Sequence, residues 1–459
     1  MYSEISGIQL CAMVSCLPEH RTYNTDYASV FGEKEVKKQI KVTGINERRC
    51  LTGEQTVIDL SMHALNAALE RTGWSGESID ALVYVSAYRE NSRIPTARLL
   101  LNRIGAKHSS VGCDINLGCS AFVNGLFVIS SLLKSMPSGA KGLLVVSDST
   151  SIGGDHDDKT VSMLSGDCST VTALQHATEK SEEGRIPFRF SQHFDGSRYE
   201  FLVRRSLKKN LEMDGMAVFN FAITDVSESI RDYMKHYEMS EEEFDFYVLH
   251  QAQKFIVDKV AQFSELSKER VLTSYDLYGN TGGPSLPATV CANKEIIDRK
   301  TTDGKISLFL AGFGSGMSWG FVSLEMDPKD ILEPIYTDEL YDEATEIEDI
   351  DEDKELICEK ATKMALEKLG EVGWKAEDIR FVFLVTETPD LLIPSTASAI
   401  HKELGCSTEC LVWDIKTEDM TEEGVSELIR PMMPYLGEKA RGICILNDTG
   451  RVITYENGG

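Results

Sequence analysis

Three residues of this chain have types and settings suited to chemistry. Cys119 lies in Asp114-Ile115-Asn116-Leu117-Gly118-Cys119-Ser120-Ala121-Phe122. There an apolar strand ends, Gly118 allows a tight turn, and the thiol opens an apolar helix. A thiol so placed sits among free backbone N–H groups at the positive end of a helix dipole. That setting favours thiolate, the nucleophilic form. The same N–H groups can hold an oxyanion on an attached acyl group. The pattern fits a small core residue at a helix start equally well. His250, in Val248-Leu249-His250-Gln251-Ala252, stands where a strand gives way to a helix. Asn280, in Leu277-Tyr278-Gly279-Asn280-Thr281-Gly282-Gly283-Pro284, occupies a Gly-rich turn before another helix. Polar residues after the carboxyl ends of three strands can meet at one edge of an α/β sheet.

The pattern around them supplies such strands. Ala81–Ala87 and Gly142–Ser147 are short runs rich in Val and Leu, as in buried strands. Helical spacing covers Gln55–Thr72, Thr96–Ile104 and Ser120–Lys134. A second series follows: helix Met216–His236, strand Phe244–Leu249, helices Ala252–Phe263 and Pro284–Ile297, and strand Ile306–Ala311. Two α/β series in similar order predict an internally duplicated layered domain.

A further segment repeats the first series at an offset of 300. Gly73-Trp74 matches Gly373-Trp374, Gly105 matches Gly405, Asp114-Ile115 matches Asp414-Ile415, and Asp148 matches Asp448. Only the loop before Pro95 and Pro394 slips by one. The division predicted is an N-terminal half over residues 1–180 and a second half over 181–327. An acidic linker over 328–355 and a degenerate copy of the first half over 356–459 follow. At the offset of 300, Cys119 falls on Asp419 and Gly118 on Glu418, so the copy keeps no thiol nucleophile. His401 reads as a surface helix residue. The strands Phe381–Val385 and Ile443–Leu446 are apolar and need a partner surface, so the copy is expected to pack on the 1–327 unit or on another subunit.

Composition narrows the class. The 459 residues are 42% hydrophobic and 26% charged, which excludes fibrous and wholly disordered chains. Net charge is −26, which disfavours nucleic acid and anionic membranes as partners. Residues 328–459 carry 31 acids against 13 bases, and 338–355 alone carry 11 acids and one base. No apolar run reaches the roughly 18 residues that cross a bilayer. Met1–Leu10 shows no signal-peptide pattern, so the expected location is cytoplasmic. Eleven scattered cysteines without a C-x-x-C pair read as reduced thiols, and no metal site is expected, Cys406 and Cys410 included.

The segments D-I-N-L-G-C-S-A-F, V-L-H-Q-A-Q and Y-G-N-T-G-G-P-S resemble the active-site segments of β-ketoacyl-acyl carrier protein synthase III, a family of thiolase-like condensing enzymes. Thr43-Gly44-Ile45-Asn46-Glu47-Arg48-Arg49 and Ala311–Gly320 are similar as well. The resemblance covers about residues 1–327. It implies a five-layered αβαβα fold of two similar halves, to which the partial third α/β half is added, and a homodimer. It also implies fatty acid or polyketide synthesis without a tightly bound cofactor, with coenzyme A or phosphopantetheine thioesters as substrates and acyl carrier protein as partner.

By that resemblance, Cys119 takes the acyl group as a thioester. His250 and Asn280 hold the thioester carbonyl of a malonyl-type extender, and the backbone N–H groups of Cys119 and Ser315 form the oxyanion hole. Lys38, Val42 and Phe255 replace the Trp and two Arg that contact coenzyme A in many relatives, which favours a carrier-bound donor. Gly166-Asp167-Cys168-Ser169 stands at a common Gly-rich segment, with Cys168 read as a packing substitution. Lys254, Lys259, Arg204 and Arg205, with Lys208 and Lys209, are the basic candidates for docking an acidic carrier. Transfer of the acyl group from Cys119 to an alcohol or amine is the alternative activity, and a non-catalytic partner subunit a third reading.

Overall fold

The computed structural model describes residues 1–88, 94–152, 158–178, 186–206, 209–301, 304–341 and 356–458. The strands, in chain order, begin with β1 (Tyr2–Ile5), β2 (Ile8–Pro18), β3 (Arg21–Tyr23), β4 (Glu47–Arg49) and β5 (Ala81–Ser86). Next come β6 (Val111–Asn116), β7 (Lys141–Ser149), β8 (Asp167–His176), β9 (Phe188–Phe194), β10 (Leu202–Val203) and β11 (Glu212–Met213). The second half adds β12 (Phe246–Leu249), β13 (Val271–Leu272), β14 (Ile306–Gly314) and β15 (Ser318–Met326). The remainder supplies β16 (Ile335–Thr337), β17 (Ile379–Val385), β18 (Leu411–Thr417), β19 (Arg441–Leu446) and β20 (Arg451–Glu456).

Two sheets carry the fold. One runs β1-β9-β15-β14-β12-β13. The other has ten strands in the order β16-β2-β8-β7-β5-β6-β18-β17-β19-β20. The helix Ala121–Ser135 lies between the sheets and touches strands of both. It is buried from Ala121 to Leu133, which explains why its sequence is apolar all round. Val57–Thr72 covers β2 and β8 from outside. Lys254–Phe263 packs behind the six-stranded sheet, in the core cluster of Tyr247, Phe309 and Phe321. Helices, sheet, central helices, sheet and helices make the five-layered thiolase-like architecture.

Several elements depart from the sequence pattern. The helix expected over Met216–His236 is Gly215–Phe221 and Ser227–His236 joined by a π turn at Ala222–Val226. The helix expected over Pro284–Ile297 breaks at Asn293 into Ser285–Ala292 and Lys294–Lys300. Asn293 bonds back through its amide to the carbonyls of Thr289 and Thr273, which fixes the break. The first strand, β1, joins the sheet of the second half by pairing with β9. The acidic stretch is not all linker: β16 runs parallel to β2, Ile335 opposite Cys16. Residues 342–355 of that stretch lie outside the described residues. Among the described residues no helix is long and apolar enough to cross a membrane.

The segment 356–458 continues the ten-stranded sheet. β18 pairs antiparallel with β6, with Ile415 opposite Ile115, Asp414 opposite Asn116 and Lys416 opposite Asp114. Many local contacts recur 300 residues apart. Ala81 faces Val111 and Gly142, and Phe381 faces Leu411 and Gly442. The Asp114 carboxylate accepts the N–H groups of Thr96 and Ala97, and that of Asp414 accepts those of Thr396 and Ala397. Lys141 lies over Trp74, and Arg441 over Trp374. His401, expected at the surface, is buried: its Nε2 reaches the carbonyl of Ser407 and its ring meets Gly196 of the second half.

Candidate active site

Cys119 follows β6 after Leu117 and Gly118 and precedes the helix Ala121–Ser135. It sits at the floor of a cavity of about 190 Å3 that His250, Asn280, Asp148 and Ser315 also line. His250 follows β12 and its N–H bonds the carbonyl of Ala311 at 2.8 Å, locking it to the neighbouring strand. Asn280 is held by its N–H to the carbonyl of Leu164 at 2.8 Å, and its carbonyl accepts from Gly166. Ser315 follows β14. A side chain at Gly314 would strike the sulfur of Cys119, so only glycine lets this turn close over the thiol. The three residues singled out by spacing therefore share one cavity; Cys119 and His250 come from strand ends as expected, whereas Asn280 follows the short helix Tyr275–Tyr278.

The hydrogen bonds orient the polar side chains for a ligand. The Nδ1 of His250 is 2.9 Å from Ser285 Oγ. If that hydroxyl donates, Nε2 carries the ring proton. Burial lowers the imidazole to about 3, so it is neutral at ordinary pH. The Oδ1 of Asn280 accepts the N–H of Gly282 at 3.0 Å, which leaves its NH2 as the donor over the cavity. The Cys119 thiol is pushed up to about 12 by burial, with the Asp148 carboxylate adding to the rise. The N–H groups of Ser315 and of Cys119 itself pull it back down. Burial thus outweighs the N–H groups that the helix start was expected to bring to bear on the thiol.

Asp148, at the end of β7, gave no catalytic signal in the sequence beyond its repeat match. It is buried, and it accepts the N–H of Ala87 at 2.8 Å, the N–H of Gly283 at 2.7 Å and the hydroxyl of Ser86 at 3.1 Å. Burial lifts its carboxyl to about 7 despite those donors. Gly282, with φ +69°, comes so close to this carboxylate that a side chain there would collide with it. Asp148 thereby ties the Asn280 turn to the strand ends that flank Cys119.

Comparison with known proteins places the chain. The family model "3-Oxoacyl-[acyl-carrier-protein (ACP)] synthase III" matches residues 113–193, and the model of its C-terminal part matches 234–326. A β-ketoacyl-[acyl-carrier-protein] synthase III of Streptococcus sanguinis is 30% identical over 295 residues, 61% of this chain and 87% of that protein. The chain belongs to this synthase III family. A 3-oxoacyl-(acyl-carrier protein) synthase structure from Burkholderia xenovorans superposes with a TM-score of 0.68 at 28% identity, covering 73% of this chain and 99% of that one. A synthase III structure from Pseudomonas aeruginosa gives 0.61 at 28% identity, covering 70% and 98%. Both family models end before residue 327, ahead of the segment 356–458.

Around the synthase III cavity the basic candidates divide. Arg204 is not a surface residue: it is buried, its guanidinium reaches the carbonyl of Ile152 at 2.8 Å, and it lines the cavity wall. Arg205 is exposed beside Glu212. Lys254 pairs with Asp258 at 2.7 Å, and Lys259 bonds Gln262. Lys208 lies outside the described residues, and Lys209 is exposed. Lys38, Val42 and Phe255 are all exposed, Phe255 stacking on Phe219. Cys168 is buried with Leu17, Tyr278 and Ala288, as a packing residue should be. Among the described residues no group of three or more His, Cys, Asp or Glu is placed to hold a metal. Sequence reading also passed over Ser285, although it ends the Asn280 motif, and Ile393, which reaches this cavity from the far segment.

Proposed function

We propose that this chain makes a β-ketoacyl thioester by decarboxylative Claisen condensation. The reading rests above all on the meeting of Cys119, His250 and Asn280 in one cavity. In the first half-reaction the Cys119 sulfur attacks the carbonyl of an acyl thioester, and the donor leaves as a free thiol. One thiol replaces another, so no net proton is taken up or released. The N–H groups of Cys119 and Ser315 hold the oxyanion of the tetrahedral intermediate. In the second, a malonyl-type thioester loses CO2, and the electron pair of the broken C–C bond passes into an enolate. The donors of His250 Nε2 and Asn280 Nδ2 stabilise its oxygen. The α-carbon then attacks the acyl carbonyl, and the Cys119 sulfur leaves and recovers a proton.

The donor and extender are thioesters of coenzyme A or of the phosphopantetheine arm of an acyl carrier protein. Exposed Lys38, Val42 and Phe255 favour the carrier, for which Lys254, Lys259 and Arg205 offer positive charge. Ser285 acts as a positioning residue that sets the tautomer of His250.

Intact-mass detection of an acyl group on Cys119, followed by malonyl-carrier protein and product analysis, tests the reading. A product two carbons longer is expected. His250→Ala and Asn280→Ala should each slow decarboxylation by about 10²-fold or more, while loading of Cys119 changes far less. Equal loss in both half-reactions would contradict the division of roles. Transfer to an alcohol or amine in place of the extender would replace this activity with the alternative one.

A further inference from the structure

We infer that the segment 356–458 stands where a second subunit would stand, and that through Ile393 it builds the wall of the cavity that limits the acyl chain. The inference rests on the acyl-Cys119 reading above.

The first observation is symmetry. In an isologous contact residue i meets residue j and j meets i, and only a residue on the two-fold axis meets its own counterpart. The β6–β18 register has that property at an offset of 300: Ile115 lies opposite Ile415, with neighbours crossing over on either side. The strands beyond follow the same rule, β8-β7-β5-β6 on one side and β20-β19-β17-β18 on the other. The edge of β6 is therefore already filled from within the chain, and any homodimer of this protein uses another surface.

The second observation is where the axis delivers the loop after β17. Residues 386–395 are the counterpart of the stretch that ends at Pro95. They cross to the synthase III unit and dock by backbone bonds. Arg204 N–H donates to the Ile393 carbonyl at 2.8 Å, and the N–H groups of Leu392 and Ile393 both donate to the Arg204 carbonyl at 3.0 Å. Leu392 is buried against Ala87 and Tyr88, and its carbonyl accepts from Asn116 at 3.4 Å. Leu392 anchors the loop, so Ile393 is presented to the cavity.

The third observation is which wall this is. Ile393 docks beside Tyr88 and Arg204, both buried, and the cavity also carries Leu202, Leu211 and Met213. A thioester on Cys119 sends its polar arm toward solvent and its hydrocarbon along the apolar lining that Leu202, Leu211 and Ile393 supply. The end of that hydrocarbon meets Ile393.

The test loads the full-length protein with acyl-carrier thioesters of increasing chain length and reads acyl-Cys119 by intact mass. Ile393→Trp is expected to cut loading of the longest chain that the wild type accepts by at least about tenfold relative to acetyl. Ile393→Ala is expected to admit a longer chain. Ile94→Trp, at the equivalent and exposed position of the first half, should leave the profile unchanged and serves as the control for a bulky residue. Profiles of both Ile393 variants that superpose on the wild type, with Cys119 loaded, would overturn the inference and leave the catalytic reading standing. A wild-type Cys119 that no donor acylates would overturn both.

Discussion

The helices that begin at Ala121 and Glu422 start from equivalent places, each just past the end of a strand that carries an Asp-Ile pair. Their surroundings are opposite. The first is sealed between two sheets, and the residue before it, Cys119, faces a cavity. The second has one sheet and open solvent: Val425, Leu428 and Ile429 are buried, while Glu422, Glu423 and Glu427 are exposed. At the counterpart of Cys119 stands Asp419, exposed, its carboxylate accepting the N–H of Thr421. Asp148 and Asp448 differ for the same reason. Both sit at strand ends and accept an N–H from the equivalent residue, Ala87 or Glu387. Only Asp148 is roofed by Gly283 from a second half. A free helix start and a strand-end carboxylate are common local devices. Closing a second layer over them is what converts the first set into a reactive site.

Breaking the pairing of the two regions should have the largest effect. Deletion of residues 342–459 bares the β6 edge and removes the Leu392 and Ile393 wall. Loss of soluble yield or a new association state is expected, with condensation falling below detection, as read by sedimentation and product analysis. A truncated protein that stays soluble, monodisperse and fully active would show that the segment completes neither the sheet nor the cavity.

The next contrast sets Cys119→Ala against Asp419→Ala. The first should lower turnover by about 10³-fold or more with little change in melting temperature. The second should leave turnover intact and cost only a few tenths of a kcal/mol, as an exposed carboxylate at a helix start does. Reversal of either pattern would dissolve the contrast.

A pH dependence separates the two strand-end aspartates as well. The carboxyl of Asp148 is raised from 3.8 to about 7. The folded protein therefore keeps this proton over a range where the unfolded chain has lost it. Stability should fall as pH rises from about 4 to about 7, by a few kcal/mol at most. Asp148→Asn should flatten that slope in denaturant titrations, whereas Asp448→Asn should leave it as in the wild type. A slope unchanged in Asp148→Asn would mean that the carboxylate is ionised throughout.

Local pattern carried much of this protein. The strands around Ala81–Ser86 and Lys141–Ser149 follow from short Val/Leu runs. The start of the helix after Cys119 follows from Gly118 and the apolar run behind it. The family resemblance added roles to Cys119, His250 and Asn280 that their spacing alone left open. What escaped were features set by distant contacts. Arg204 sits among charged neighbours in the sequence, yet its guanidinium is captured by a carbonyl 52 residues away. His401 has the spacing of a surface residue and is buried because a different half lies against it.

The sequence by itself determined the elements, the repeat at an offset of 300, and the residues able to do chemistry, because turns, caps and apolar periodicity are encoded within a few neighbouring positions. Only the tertiary structure decided that β18 adds to β6, that Ile393 enters the cavity of another part of the chain, and that burial raises the Cys119 thiol. Those outcomes depend on which surfaces are excluded from water, and burial is a property of the assembled layers that no local run of residues carries.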